Sequence, residues 1–124
     1  MPHTILLYED NATIRVLVSE LIIEEGYVVR EARSLQEAEA LVASGGISLV
    51  LADSGEGTRE AAMVAYQRYC RAIGGRVPMI IFTAHRLTQE ETRELGCASL
   101  LPKPFDIDQL LGLIGEHLSG HGDP

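Results

Sequence analysis

The chain has 124 residues, 46% of them hydrophobic, enough to bury one good core with no room for a second domain. Acidic residues outnumber basic ones 18 to 10, for a formal charge of −8, and a body this acidic argues against nucleic acid as a direct partner. No apolar run approaches the ~20 residues of a membrane span, and no basic region precedes an apolar core at the N-terminus, so the chain is read as cytoplasmic, without membrane contact.

Thr4 to Tyr8 is a short apolar strand leading into Glu9-Asp10. Asn11 can cap a helix whose apolar residues Ile14, Leu17, Val18, Leu21 and Ile22 form one stripe, expected to lie on a sheet, and Gly26 stops it. Tyr27 to Ala32 is a second strand, and Arg30-Glu31 suggests an edge position. Ser34 and Glu37 form a capping box for a helix running to about Val42, closed by Gly45-Gly46. Ile47 to Asp53 is apolar on nearly every position and too short for a helix, the pattern of a strand buried on both faces. It ends in one carboxylate, and Ser54-Gly55-Glu56-Gly57 follows as a loop.

A third helix begins near Thr58 and turns Ala62, Tyr66, Tyr69, Cys70 and Ile73 to one side before Gly74-Gly75. Pro78 opens a fourth strand, Met79 to Phe82, which leads into Thr83-Ala84. Thr88 and Glu91 make a second capping box for a short helix ended by Gly96. Ser99 to Leu101 is a brief fifth strand before Pro102-Lys103-Pro104, where Pro104 permits a cis bond. The last helix, from about Asp106, sets Ile107, Leu110, Leu111, Ile114 and Leu118 toward the sheet. Residues 1–119 are read as one domain and 120–124 as a short polar tail. The two cysteines, Cys70 and Cys97, lack metal-ligand spacing and are read as reduced thiols.

Strand alternating with helix five times implies a five-stranded parallel sheet with right-handed crossovers and helices on both faces. The flavodoxin-like, doubly wound (βα)5 order 2-1-3-4-5 is one of the two common solutions for such an α/β fold and the one expected here, with its site at the switch between the first and third strands. That rule gathers Glu9, Asp10 and Asp53. Three carboxylates so close raise one another's pKa unless a cation neutralises them, and an all-oxygen pocket suits Mg²⁺. The alternative is that Glu9 and Asp10 merely cap the first helix, where acids are favourable anyway. Two further strand tips bring Thr83, a hydroxyl donor, and Lys103, a mobile ammonium. With a cation they complete what a phosphoryl group on a carboxylate requires. Taken singly, Thr83 could be a strand-end residue and Lys103 a surface lysine.

Together these residues resemble the response-regulator receiver domain of two-component signalling, over essentially the whole chain. The resemblance rests on Glu9-Asp10, on Asp53 in Leu-Val-Leu-Ala-Asp, on Thr83 in Ile-Ile-Phe-Thr-Ala, and on Lys103 in Leu-Pro-Lys-Pro-Phe. It implies that Asp53 accepts a phosphoryl group and that Thr83 is the switch hydroxyl, with Lys103 completing the set. Glu9, Asp10, Asp53 and the backbone carbonyl of Gly55 would then ligate Mg²⁺. Two departures stand out: the pliable, acidic loop Ser54-Gly55-Glu56-Gly57-Thr58, and Leu100 where the family usually carries Tyr or Phe. Without that ring, the signal is expected to travel through backbone motion of the Thr83 to Thr88 loop.

The resemblance also implies partners. A histidine kinase or phosphotransfer protein would dock beside the first helix, near Asn11, Thr13 and Arg15. A downstream protein target would read the fourth helix, fifth strand and fifth helix through Gln89, Arg93, Leu100, Gln109 and Leu113, and a homodimer is compatible. No output domain follows the last helix, so the chain is either a stand-alone receiver or one cut from a longer regulator. It is read as a phosphoacceptor rather than an enzyme, with room for self-catalysed phosphorylation and dephosphorylation. The competing class is a pseudo-receiver that binds proteins without being phosphorylated. A phosphatase on a related fold would need an aspartate where Gly55 stands.

Overall fold

Five strands and five helices alternate along the chain of the computed structural model, which describes residues 2–53, 57–96 and 99–119. The strands are β1 (Thr4–Tyr8), β2 (Val28–Ala32), β3 (Leu49–Asp53), β4 (Met79–Thr83) and β5 (Ser99–Pro102). Between and after them lie α1 (Ala12–Glu24), α2 (Leu35–Ala43), α3 (Arg59–Ala72), α4 (Gln89–Leu95) and α5 (Ile107–Ser119). All pairings are parallel and the sheet order is β2-β1-β3-β4-β5, the expected flavodoxin-like arrangement. Among the described residues no helix is long and apolar enough to cross a membrane.

Side chains alternate across the sheet with period two, and this builds two cores from one set of strands. Leu6, Val50, Ala52 and Ile81 pack with α2, α3 and α4 on one face. Ile5, Leu7, Leu49, Leu51, Ile80 and Phe82 pack with α1 and α5 on the other. Both central strands, β3 and β4, are buried at every position, as continuous apolar runs require. β2 is the exposed edge strand its Arg30-Glu31 pair suggested.

Helix starts follow their caps. Asn11 Oδ1 accepts from the Ile14 N–H at 3.0 Å, and Thr58 Oγ1 accepts from the Ala61 N–H at 3.1 Å. Thr88 and Glu91 form a complete capping box, and Gly96 closes α4 in the left-handed conformation at φ 40°. The expected box at Ser34 is only half made. Ser34 accepts from the Glu37 N–H, whereas the Glu37 carboxylate reaches past it to the Arg33 N–H.

Two further expectations are corrected. α1 does not bury the stripe Ile14, Leu17, Leu21: it buries Arg15, Ser19 and Ile22, with Val18 half-buried, and leaves Leu17 56% exposed. The rotation follows from polar partners on β1 and β2. Arg15 Nε and Ser19 Oγ donate to the two carboxylate oxygens of Glu31 at 3.1 and 3.0 Å, so two polar residues are satisfied against the sheet. Cys70, read as a reduced thiol, is disulfide-bonded. Its sulfur lies 3.4 Å from the Leu95 carbonyl oxygen, a proximity of α3 to the end of α4 that sequence spacing does not reveal. The other cysteine of the chain, Cys97, lies outside the described residues.

Candidate functional site

Sheet register brings the polar strand tips side by side. Tyr8 is paired with Ala52, so the next residues, Glu9 and Asp53, emerge together between β1 and β3. Thr83 is paired with Pro102, and Lys103 follows directly. The Lys103 N–H donates to the Thr83 carbonyl at 2.7 Å, and the Lys103-Pro104 bond is cis.

Each tip is held by its own contacts. The Glu9 N–H donates to the Ala32 carbonyl, and Arg15 Nη1 donates to the Glu9 carbonyl at 2.8 Å. Arg15, expected on the partner face with Asn11 and Thr13, is instead buried behind the site, while the other two are exposed. Lys103 Nζ sits between the carboxylate oxygens of Asp53, at 2.9 Å from Oδ1 and 2.8 Å from Oδ2. Asp53 is buried and the lysine only one-third exposed, so this ion pair is shielded from solvent.

Glu9 is 3% exposed. Burial first, then hydrogen bonding to Asp53, raises its carboxyl from 4.5 to about 7, against the Asn11 N–H, which donates to Oε2 at 3.0 Å and favours the charge. A buried Glu9 carboxyl raised beside the Asp53 carboxylate makes a site that would favour a cation in place of the Glu9 proton. The donors are hard oxygens, which fits Mg²⁺. Asp10 stands exposed at the rim, and Gly55 and Glu56 lie outside the described residues. Among the described residues no three His, Cys, Asp or Glu side chains form a ready-made metal cluster.

Thr83 is fully buried, and its hydroxyl is engaged on all sides. It accepts from Tyr66 Oη at 2.6 Å and from the His85 N–H at 3.1 Å, and donates to the His85 carbonyl at 3.1 Å. Sequence reasoning placed Tyr66 only on the apolar stripe of α3. The signal that could have found it is a hydroxyl among buried apolar residues, which must have a partner. A cavity of about 690 Å³ opens beside Thr83, between the loop after β4 and the side chains of Thr92, Leu100 and Lys103. Of the expected readout residues, Gln89, Arg93 and Gln109 are exposed, and Leu100 and Leu113 are half-buried.

The family model described as response regulator receiver domain matches residues 5–115. The chain is 33% identical over 117 residues to the transcriptional regulatory protein PdtaR of Mycobacterium tuberculosis, covering 92% of this chain and 56% of that protein. It thus spans about half the length of that relative. It is 28% identical over 120 residues to sporulation initiation phosphotransferase F of Bacillus subtilis, covering 95% of each. Its fold matches the co-crystal structure of the Saccharomyces cerevisiae histidine phosphotransfer signaling protein Ypd1 with the receiver domain of the response regulator Ssk1. There the TM-score is 0.70 at 20% identity, over 98% of this chain and 93% of that one.

Proposed function

The chain belongs to the response regulator receiver domain family of two-component systems, and from that premise we propose that Asp53 is its phosphoacceptor. A histidine kinase or phosphotransfer protein supplies the phosphoryl group. One Asp53 carboxylate oxygen forms the new O–P bond as the donor's P–N bond breaks, and the departing imidazole takes up a proton. Lys103, already on both carboxylate oxygens, holds Asp53 for in-line attack and then accompanies the incoming negative charge. Thr83 offers a hydroxyl to the phosphoryl oxygens. Glu9, Asp10, Asp53 and the Gly55 carbonyl are the proposed Mg²⁺ ligands. When bound, Mg²⁺ neutralises charge on the transferring group.

The observation that carries this reading is the pairing of Lys103 with Asp53 beside a Glu9 whose carboxyl is raised to about 7. That charge arrangement suits a cation and an anion bound together. Self-catalysed phosphorylation from small phosphodonors and self-catalysed hydrolysis belong to the same proposal. So do a phosphotransfer partner beside α1, a protein target on the α4-β5-α5 face, and a cytoplasmic setting. Residues 1–119 would be the folded unit that does this.

Intact-mass analysis after incubation with a small phosphodonor and Mg²⁺ tests the assignment. One phosphoryl adduct is expected on the wild type and none on Asp53→Asn. An adduct that persists in Asp53→Asn, or never forms on the wild type, would overturn it.

A further inference from the structure

The usual receiver reports the movement of its switch hydroxyl through an aromatic ring on the fifth strand, and here that position is Leu100, beside an open cavity. A different ring touches the hydroxyl. Tyr66 of α3 is fully buried, and its Oη lies 2.6 Å from Thr83 Oγ1. Among the described residues this is the hydrogen bond that satisfies the Tyr66 hydroxyl, and no buried side-chain polar atom is left unmatched.

Counting protons fixes the direction of this network. The Tyr66 proton goes to Thr83 Oγ1, the His85 N–H takes the other lone pair of that oxygen, and the single Thr83 proton goes to the His85 carbonyl. For Thr83 to give its proton to a phosphoryl oxygen, the bond to His85 must break. If Oγ1 also turns toward Asp53, the buried Tyr66 donor loses its acceptor. An unmatched buried donor is costly, so the network opposes the active arrangement.

We infer that Tyr66 is a positioning residue: its hydroxyl latches Thr83 in the resting state, and α3, rather than a ring on β5, senses the release of that latch. The inference rests on the phosphoacceptor reading above. The Tyr66 ring packs against Tyr69 with centroids 6.4 Å apart, and Tyr69 meets Tyr8 edge-on at 5.4 Å. An aromatic file therefore leads from the switch hydroxyl through α3 to β1. The His85 backbone, bonded to Thr83 through both its N–H and its carbonyl, ties the loop after β4 to the same event.

Tyr66→Phe removes the latch and keeps the ring. Beryllofluoride, a mimic of the bound phosphoryl group, is titrated in saturating Mg²⁺ into the wild type, Tyr66→Phe, Thr83→Ala and the double variant, and Mg²⁺ alone is titrated in parallel. We expect Tyr66→Phe to bind beryllofluoride about tenfold more tightly, equivalent to about 1.4 kcal/mol. Mg²⁺ affinity should be unchanged, and the gain should vanish when Thr83 is already alanine. A purely structural role would move both affinities and survive in the Thr83→Ala background. Equal or weaker beryllofluoride binding by Tyr66→Phe, or a gain that persists without Thr83, overturns the latch. A wild type that binds no beryllofluoride overturns the phosphoacceptor reading itself, and the latch with it.

Discussion

Glu9 shows how burial and a like charge act on one side chain. Its carboxyl is raised from 4.5 to about 7, so the retained proton stabilises the fold fully below 4.5. That contribution is lost as the pH rises through about 7. At about 1.4 kcal/mol per pKa unit, the effect amounts to roughly 3 kcal/mol. Glu9→Gln keeps the shape and removes the titration. Relative to the wild type it should therefore gain about that much stability between pH 4.5 and about pH 8 in metal-free buffer. Urea denaturation at the two pH values measures the difference. If both proteins show the same pH dependence, Glu9 is not holding a proton against Asp53. Lys103 illustrates the opposite case, a charge whose partner lies two strands away in the sheet, across β4, and 50 residues away in the chain.

At the scale of the element, α1 is the informative case. Its apolar residues outnumber its polar ones, yet the face it turns to the sheet carries Arg15 and Ser19. The guanidinium donates to the carbonyl of Glu9 and to Glu31, so one buried residue fastens the site's first strand tip to both the helix and the edge strand. Arg15→Met retains the apolar stem and removes those donors. We expect a loss of about 1–2 kcal/mol, set mainly by the orphaned Glu9 carbonyl, because Glu31 is half exposed and its ion pair is screened. A denaturation midpoint unchanged from the wild type would show that water replaces Arg15 at that carbonyl. The displaced apolar residues Ile14, Leu17 and Leu21 are left on the surface of the helix.

For the whole molecule, the site couples ligand binding to the stability of the sheet, because its groups come from the ends of β1, β3, β4 and β5. A cation bound only by the folded chain at about 100 times its dissociation constant adds about 2.7 kcal/mol of stability. Mg²⁺ should therefore raise the melting temperature, and Asp10→Ala should lose most of that rise at the same concentration. Asp10 is exposed, so in metal-free buffer the variant should melt within about 0.5 kcal/mol of the wild type. Differential scanning calorimetry with and without Mg²⁺ separates the two effects. A variant that melts much lower without metal would assign Asp10 to holding the start of α1 instead.

What the sequence determined by itself is whatever depends on short-range pattern. Apolar runs ending in Asp53 and Thr83, helix stops at Gly26 and Gly96, and five alternations of strand with helix are local facts; with the crossover rule they narrow the sheet to two common orders, and the one observed brings Glu9, Asp53, Thr83 and Lys103 to one end of the sheet. What only the tertiary structure decided depends on contacts between residues distant in the chain. The rotation of α1 was set by Glu31 across the gap to β2, and the partner of the Thr83 hydroxyl was set by where α3 lies over the sheet. Hydrophobic periodicity could not report either. It counts Tyr66 as apolar and Arg15 as exposed, whereas a buried polar atom takes its position from the partner that satisfies it.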